Sequence, residues 1–342
     1  MEEIEPFISI IITAFNEEKN IEAKVINTLE LDYPNDKMEI IVASDGSIDR
    51  TDEIVKKFKD QGVSLFRIEG RVGKTETQNH AISIAKGEIV IFSDATTVYN
   101  KNVPRKIVKE FNDRTVGCVG GELDYLDSEN KIIGRGGGAY WRYEKFLKRF
   151  ESKISSLIGV SGCLYAVRRE LYSAIDSQQI SDFIIAQQIF KKGYRVAYAA
   201  EARSFEYTIE KSKDEFKMRV RVALRSIRGM WYMRKMLNPL KNGFYAIQII
   251  SHKLLRYLVP LFLIGLFTTN ISLLRYYPLK VFFIFQLLFY LLALIGFSRQ
   301  KSLISKLKLY LPFYFCLLNL ASLIALFKFI MGEKQVRWQP LR

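Results

Sequence analysis

Apolar positions fall into two regimes along the chain. Up to about residue 235, short apolar runs alternate with amphipathic stretches; beyond it, apolar positions become nearly continuous. Phe7 to Thr13, Met38 to Ala43, Val63 to Ile68 and Ile89 to Phe92 are brief runs bounded by turn chemistry. That is the pattern of strands buried on both faces of a parallel sheet. The spacing between them predicts helices from Glu17 to about Leu31, over 52–60, and after Lys74. Alternation of strand and helix through the fourth strand predicts an α/β, Rossmann-like doubly wound sheet. Val116 to Leu123 predicts a further strand. The glycine-rich Gly134 to Gly138 precedes a basic, aromatic helix, and another helix runs from about Ile180 to Gly193.

The second regime reads differently. Leu255–Leu274, Pro278–Phe297 and Leu309–Met331 are apolar throughout, and about 20 residues of helix cross the ~30 Å of a bilayer's hydrocarbon. Phe244 to Leu254 is amphipathic enough to lie in the interface. The expected organisation is a folded domain over 1–235, an interfacial segment over 236–254 and a transmembrane region over 255–342.

Charge sharpens this picture. The net charge is +15, and from Phe216 to Arg256 there are ten Lys and Arg side chains and no acidic one. Such a run suits nucleic acid or an anionic membrane face. The apolar stretch that follows decides for the membrane, and no basic, aromatic-interleaved surface argues for nucleic acid. Arg299, Lys301, Lys306 and Lys308 place the second loop in the cytosol by the positive-inside rule. Three crossings would then put the tail outside, against the sign of Lys334, Arg337 and Arg342. The first residues are acidic, so no signal peptide is expected. Cys118, Cys163 and Cys316 lack metal-type spacing and fit a reducing compartment. The folded domain is thus expected on the cytosolic face of the cell (inner) membrane.

Candidate chemistry clusters where strands end. Asp94 closes the fourth strand, where open α/β sheets collect substrates or metals; a plain turn-capping role is the alternative. Ser44-Asp-Gly-Ser-Ile-Asp-Arg-Thr51 crowds Asp45, Ser47 and Asp49 at a strand-to-helix turn. Their oxygens suit a ribose or base, or simply cap the helix. Lys74 can reach a phosphate, although Gly70-Arg-Val-Gly-Lys74 lacks the spacing of a P-loop.

Taken together, Thr13-Ala-Phe-Asn-Glu-Glu, Ser44-Asp-Gly-Ser-x-Asp-x-Thr, Gly73-Lys74 with Asn79, and Phe92-Ser-Asp94-Ala resemble the nucleotide-sugar half of inverting family 2 glycosyltransferases, the superfamily of cellulose and hyaluronan synthases. The resemblance implies a GT-A fold. It puts Ala14, Asn16, Glu17, Asp45, Ser47 and Lys74 at the donor and makes Asp94 the opening of a metal-binding Asp-x-Asp element. Mg2+ or Mn2+ is the implied cofactor, although Thr96 stands where the second carboxylate often sits.

Further along, Gly159 to Glu170 is similar to the family's acceptor-lining segment, with Gly162 allowing close backbone approach. Tyr140 and Trp141 are either a sugar platform beside it or core. Asp182 maps onto the family's catalytic base, with Ser181 in place of the preceding acid; either residue could instead be a helix cap. The synthases' Gln-x-x-Arg-Trp motif is reduced here to Met218, Arg221 and Val222, and Arg219 or Arg221 is expected at the diphosphate. The terminal Trp338 to Arg342 is similar to a cytosolic tail motif of the synthases.

These readings imply transfer of a sugar from a nucleoside diphosphate, with UDP the expected nucleotide, to a hydroxyl of a lipid-linked or short glycan acceptor. The alternatives are a processive polysaccharide synthase and a non-catalytic partner subunit of a polysaccharide-synthesis complex.

Overall fold

The structure is a computed structural model that describes residues 4–126, 137–207, 212–298 and 310–333. Its first half runs β1 (Ile8–Ala14), α1 (Ile21–Leu29), β2 (Met38–Ser44), α2 (Thr51–Lys56), β3 (Val63–Arg67), α3 (Lys74–Ile84) and β4 (Ile89–Asp94). All seven residues of β1 are buried, because β1 is central: it pairs in parallel with β2 on one side and β4 on the other. This half is the parallel sheet that the alternation predicts. Beyond it come β5 (Val98–Tyr99), α4 (Val103–Glu110), β6 (Val116–Leu126), α5 (Gly137–Ile154), β7 (Leu164–Arg168), α6 (Ser181–Lys191) and β8 (Arg195–Tyr207). The sheet has eight strands in the order β3-β2-β1-β4-β7-β6-β8-β5. β7 pairs antiparallel with β4 and with β6, so direction reverses at the edge of β4.

Helices cover both faces. One core gathers Ile21, Val25, Ile54, Val103 and Ile107 against the sheet. The other gathers Ala81, Phe183, Ile184, Ala223, Leu224 and Ile227.

Two helix starts differ from the sequence expectation. α1 begins at Ile21 rather than Glu17, because Asn16 takes a left-handed φ of 52°. Glu17 and Glu18 therefore lie in the preceding turn, where the Glu17 carbonyl accepts from the amides of Asn20 and Ile21 at 2.9 and 2.8 Å. α6 begins at Ser181 after an N-cap position held by Ile180, with no side-chain cap bond. Neither Ser181 nor Asp182 serves as a cap.

The chain continues with α7 (Ser212–Tyr232), α8 (Pro239–Ile249), a π-helical turn (Ile250–Leu254), α9 (Leu255–Ser272), α10 (Tyr277–Ser298) and α11 (Tyr310–Ile330). α8 is two-faced: Tyr245 is buried and stacked on Phe190 at 3.7 Å, while Leu240, Phe244 and Ile247 face outward. Among the described residues, three stretches are long and apolar enough to cross a membrane: Pro239–Ser272, Tyr277–Phe297 and Leu311–Ile330.

The third of these behaves unlike the others. α11 lies along α7: Tyr314 accepts a bond from Arg219 at 2.8 Å, Phe329 meets the edge of Trp231, and the Gly332 carbonyl accepts from Arg228 at 2.9 Å. Ala325 is fully buried in the core that α7 shares with the sheet. Gly134 of the glycine-rich stretch, the basic loop of Arg299 to Lys308, and the tail of Lys334 to Arg342 lie outside the described residues.

Gly46 fixes how two loops meet. Its φ is +67°, and a Cβ there would stand 2.1 Å from the Gly70 carbonyl oxygen. Gly62 has φ +84° with open space around it. Gly46→Ala should therefore cost ~1–3 kcal/mol through strain and collision together, against ~1 kcal/mol for Gly62→Ala. Thermal melts of the two variants check this, and equal losses would show that the close approach is unimportant.

Candidate functional site

A cleft of about 370 Å3 opens where β1, β2 and β4 end, and α5, α6, α7 and the π-helical turn complete its wall. Among the residues singled out from sequence, Ala14, Asp45, Lys74, Asp94, Trp141, Gly162, Asp182, Arg219 and Arg221 all line it. They come from elements spread over most of the chain, so their convergence is a property of the fold.

Asp45 is buried, and its carboxylate accepts from the amides of Val72 at 2.8 Å and Gly73 at 3.0 Å. The Gly73 amide also reaches its second oxygen at 3.1 Å, so Asp45 holds the loop ahead of α3 at the edge of the cleft. Arg71 approaches the same carboxylate at 4.0 Å and lies over the Phe15 ring at 3.8 Å.

Asn16, Glu17 and Ser47 do not line the cleft. The Asn16 amide donates to Ser47 Oγ at 3.1 Å, the Ile48 amide donates to Asn16 Oδ1 at 2.8 Å, and the Glu17 amide donates to Thr51 Oγ1 at 2.8 Å. These three staple the turn after β1 to the turn after β2. Tyr140 lies on α5, and its side chain falls outside the described residues.

Lys74 opens α3, and its ammonium pairs with the Asp94 carboxylate and donates to the Gly162 carbonyl at 3.1 Å. Burial opposes its charge, yet the neighbouring Asp94 and Asp182 carboxylates raise its pKa above the usual lysine value. Gly162 leaves the space tight: a Cβ there would stand 3.0 Å from Asp182 Oδ2 and 3.4 Å from Lys74 Nζ. Asp182 sits in the first turn of α6. Burial raises its pKa, and the charges of Lys253, Lys74 and Arg225 only partly offset that. A carboxylate held above its ordinary range is a stronger base than a solvated one. Arg219 is held by Glu215 at 3.4 Å and by Tyr314. Trp141 packs on Tyr125 with ring centroids 4.8 Å apart, leaving its role as a sugar platform a matter for its cleft-facing surface.

Several lining residues escaped sequence reading. Glu206 ends β8 much as Asp94 ends β4, a signal that could have found it. Thr97 donates to it at 2.7 Å; burial first, and then the Asp94 charge, push its pKa up to about 7. Behind it Lys24 is buried with its ammonium 3.5 Å from the Tyr99 ring centroid, and burial draws its pKa down to about 7. Glu144 and Glu151 of α5 bracket His252, and Arg256 pairs with Glu144. Burial would raise the Glu144 pKa, but its bond from His252 and the Arg256 charge bring it well below the carboxylate range. Lys148, Lys253 and Arg256 belong to basic stretches whose charge alone did not say that they face a cleft.

Among the described residues, no cluster of three or more His, Cys, Asp or Glu side chains is arranged for a metal ion. Asp94 offers a partly exposed carboxylate with Glu206 in the same cleft. That donor set fits a hard divalent cation that takes its other ligands from phosphates and water.

Residues 9–176 match the family model described as glycosyl transferase family 2. Poly-beta-1,6-N-acetyl-D-glucosamine synthase of Staphylococcus aureus is 26% identical over 223 residues, covering 63% of this chain and 53% of that protein. A probable glycosyltransferase of Bacillus subtilis, YdaM, is 23% identical over 245 residues, covering 64% of this chain and 54% of its own length. The chain thus spans about half the length of these curated relatives. Among solved structures, the mannosyltransferase PcManGT from Pyrobaculum calidifontis, in complex with GDP-Man and Mn2+, matches with a TM-score of 0.68 at 20% identity. That likeness covers 96% of this chain and 88% of the other, and it is one of fold. The mixed α/β sheet is of the GT-A type.

The raised pKa of Glu206 carries a stability consequence. A carboxyl whose folded pKa is raised keeps its full contribution below its unfolded value of 4.5 and loses it as pH rises through about 7. Glu206→Gln should therefore gain melting temperature relative to the parent protein as pH rises from about 5 to 8. A melting-temperature difference that stays flat across that range would show the carboxyl to be unstrained.

Proposed function

The chain carries a glycosyl transferase family 2 domain, and on that premise we propose that it is a membrane-bound inverting glycosyltransferase, moving a sugar from a nucleoside diphosphate to a hydroxyl of a lipid-linked or short glycan acceptor. The observation that carries this reading is the meeting of Asp182 with the Lys74–Asp94 pair across Gly162. A base and a phosphate-directed cation side by side are what a single displacement at an anomeric carbon needs.

Asp182 takes the proton of the acceptor hydroxyl while that oxygen forms its bond to the anomeric carbon. The bond to the diphosphate breaks on the opposite face, so configuration inverts. Arg219 and Arg221 meet the departing diphosphate as its charge develops, where preformed cations count most. Asp94 would hold Mg2+ or Mn2+ with Glu206 nearby, and such an ion, when bound, offsets charge on the leaving group. A fold neighbour solved with a nucleoside diphosphate sugar and Mn2+ supports that pairing of donor and metal. Asp45 and Ala14 border the side of the cleft where the nucleoside fits.

Retention of Asp94 and Asp182 in one cleft speaks against a non-catalytic partner. Val222 is aliphatic at the cleft where a processive synthase grips polymer by stacking. Trp231 cannot stand in for it, since α7 continues unbroken past Gly229 and Trp231 packs on Phe329. One or a few additions per encounter follow.

In the membrane, α9 and α10 form the crossing pair and α11 stays against the catalytic domain, with its end bonded to Arg228. An even number of crossings returns the basic tail to the cytosolic side, in keeping with its charge.

Three experiments test these readings. Asp182→Asn should lower turnover by at least ~10², as loss of a general base does, while metal-dependent donor binding persists; Asp94→Asn should lose that binding. Detergent-purified protein offered a panel of nucleoside diphosphate sugars should give short products, and near-normal turnover in Asp182→Asn, or long polymer beside unused acceptor, would refute the respective point. A reporter fused after Arg342 should score cytosolic together with one fused at the amino terminus. Opposite sides would mean that α11 crosses.

A further inference from the structure

Three cations of the cleft have no carboxylate within ion-pair distance among the described residues: Lys148, Arg225 and Lys253. Lys148 Nζ donates to Ser161 Oγ at 3.1 Å. Arg225 donates to the Gln179 carbonyl at 2.9 Å, and its Nε is buried without a hydrogen-bond partner. Lys253 Nζ lies 4.7 Å from the Phe183 ring centroid. Three other basic side chains of the cleft have carboxylate partners: Lys74 pairs with Asp94, Arg219 with Glu215 and Arg256 with Glu144. Glu144 and Glu151 are close enough to be felt by Lys148, but both are engaged by His252. Asp182 is close enough to be felt by Arg225 and Lys253, but that one carboxylate faces these two and Lys74 together, and half-buried cations in excess of their counter-charge are costly unless a ligand supplies it.

Their placement separates them from the donor side. Lys74 meets the Gly159–Gly162 loop at Gly162, beside Asp94; Lys148 meets it at Ser161; Lys253 meets it at Gly159, where an added Cβ would be 3.5 Å from its Nζ. Lys148 and Lys253 therefore continue along the loop away from Asp94, past the residue that stands beside Asp182, and Arg225 lines the same cleft from α7. Lys253 also belongs to the π-helical turn that leads directly into α9, the first apolar crossing. The cations thus adjoin the first helix that is long and apolar enough to cross a membrane.

We infer that Lys148, Arg225 and Lys253 form an anion subsite for the acceptor, which is a lipid whose headgroup carries a phosphate beside the hydroxyl that Asp182 deprotonates. This rests on the glycosyl transfer proposed above. The phosphate anchors the headgroup on the membrane side of Asp182 and leaves the neighbouring hydroxyl to face the donor.

The test is binding by the full-length, detergent-solubilised protein, with neither donor nor metal added, so that its outcome is independent of transfer. Dihexanoyl phosphatidylglycerol, glycerol phosphate and uncharged dihexanoylglycerol are titrated as probes. The phosphatidylglycerol should bind most tightly, and Lys148→Met and Lys253→Met should each weaken it by about 10-fold, the order expected when a charge-assisted hydrogen bond is lost. Lys253→Arg, which keeps the charge, should restore binding, and Lys241→Met, on the exposed start of α8, should leave it unchanged. Equal binding of the uncharged probe, or unaltered binding in both Met variants, overturns the subsite. Glycerol phosphate binding as tightly as the lipid overturns the membrane-borne source. Binding as expected together with no sugar transfer in any assay refutes the enzyme reading while the subsite stands.

Discussion

The ammonium of Lys74 ties the molecule together. It reaches from the start of α3 to the carboxylate that ends β4 and to the carbonyl of Gly162 just ahead of β7. β4 and β7 are the strands between which the sheet turns from parallel to antiparallel. In open α/β sheets the crevice forms where strand direction or order changes, and here one cation spans that crevice. Its burial is tolerable because two aspartates supply the counter-charge. Gly162 leaves room for this contact: a Cβ there would crowd Asp182 and the Lys74 ammonium itself.

From that tie the cleft divides by charge balance. On the Asp94 side, carboxylates and ammonium groups occur in near-equal measure: Asp94 and Glu206 against Lys74 and the buried Lys24. An added divalent cation with its diphosphate enters such a region with little net change. On the Asp182 side the balance tips to positive, with Arg225 and Lys253 only partly offsetting the burial of one carboxylate. Desolvation, rather than any single neighbour, therefore sets the basicity of Asp182.

How much of this was legible in sequence depends on the residue. Asp94 could be placed because a short apolar run ending in an acid is local information, and the parallel half of the sheet followed from alternation alone. Asp45 could be located but its loop-holding bonds could not, since Val72 and Gly73 are distant in the chain. Asn16, Glu17 and Ser47 were read at the donor; the bonds that join their two turns were not legible, and the left-handed backbone at Asn16 that starts α1 late leaves no trace in hydrophobic spacing. Lys253 and Arg256 were legible as charge near a membrane. That they also face the cleft depends on the π-helical turn ahead of α9, which periodicity does not reveal. The distinction between α11 and the other apolar helices was hidden for a similar reason: their hydropathy is alike, and only the partner surface of α7 sets α11 apart.

The grip of α11 on α7 has a consequence for inheritance and engineering. Tyr314 holds Arg219, and Ala325 fills a core that the sheet, α6 and α7 also build. The apolar helices are therefore not a detachable cassette: grafting the α/β half onto other apolar helices would leave an apolar strip of α7 bare and Arg219 without the Tyr314 hydroxyl. Recombination between relatives should break this gene elsewhere than between α7 and α11, and substitutions along the two helices should travel as pairs.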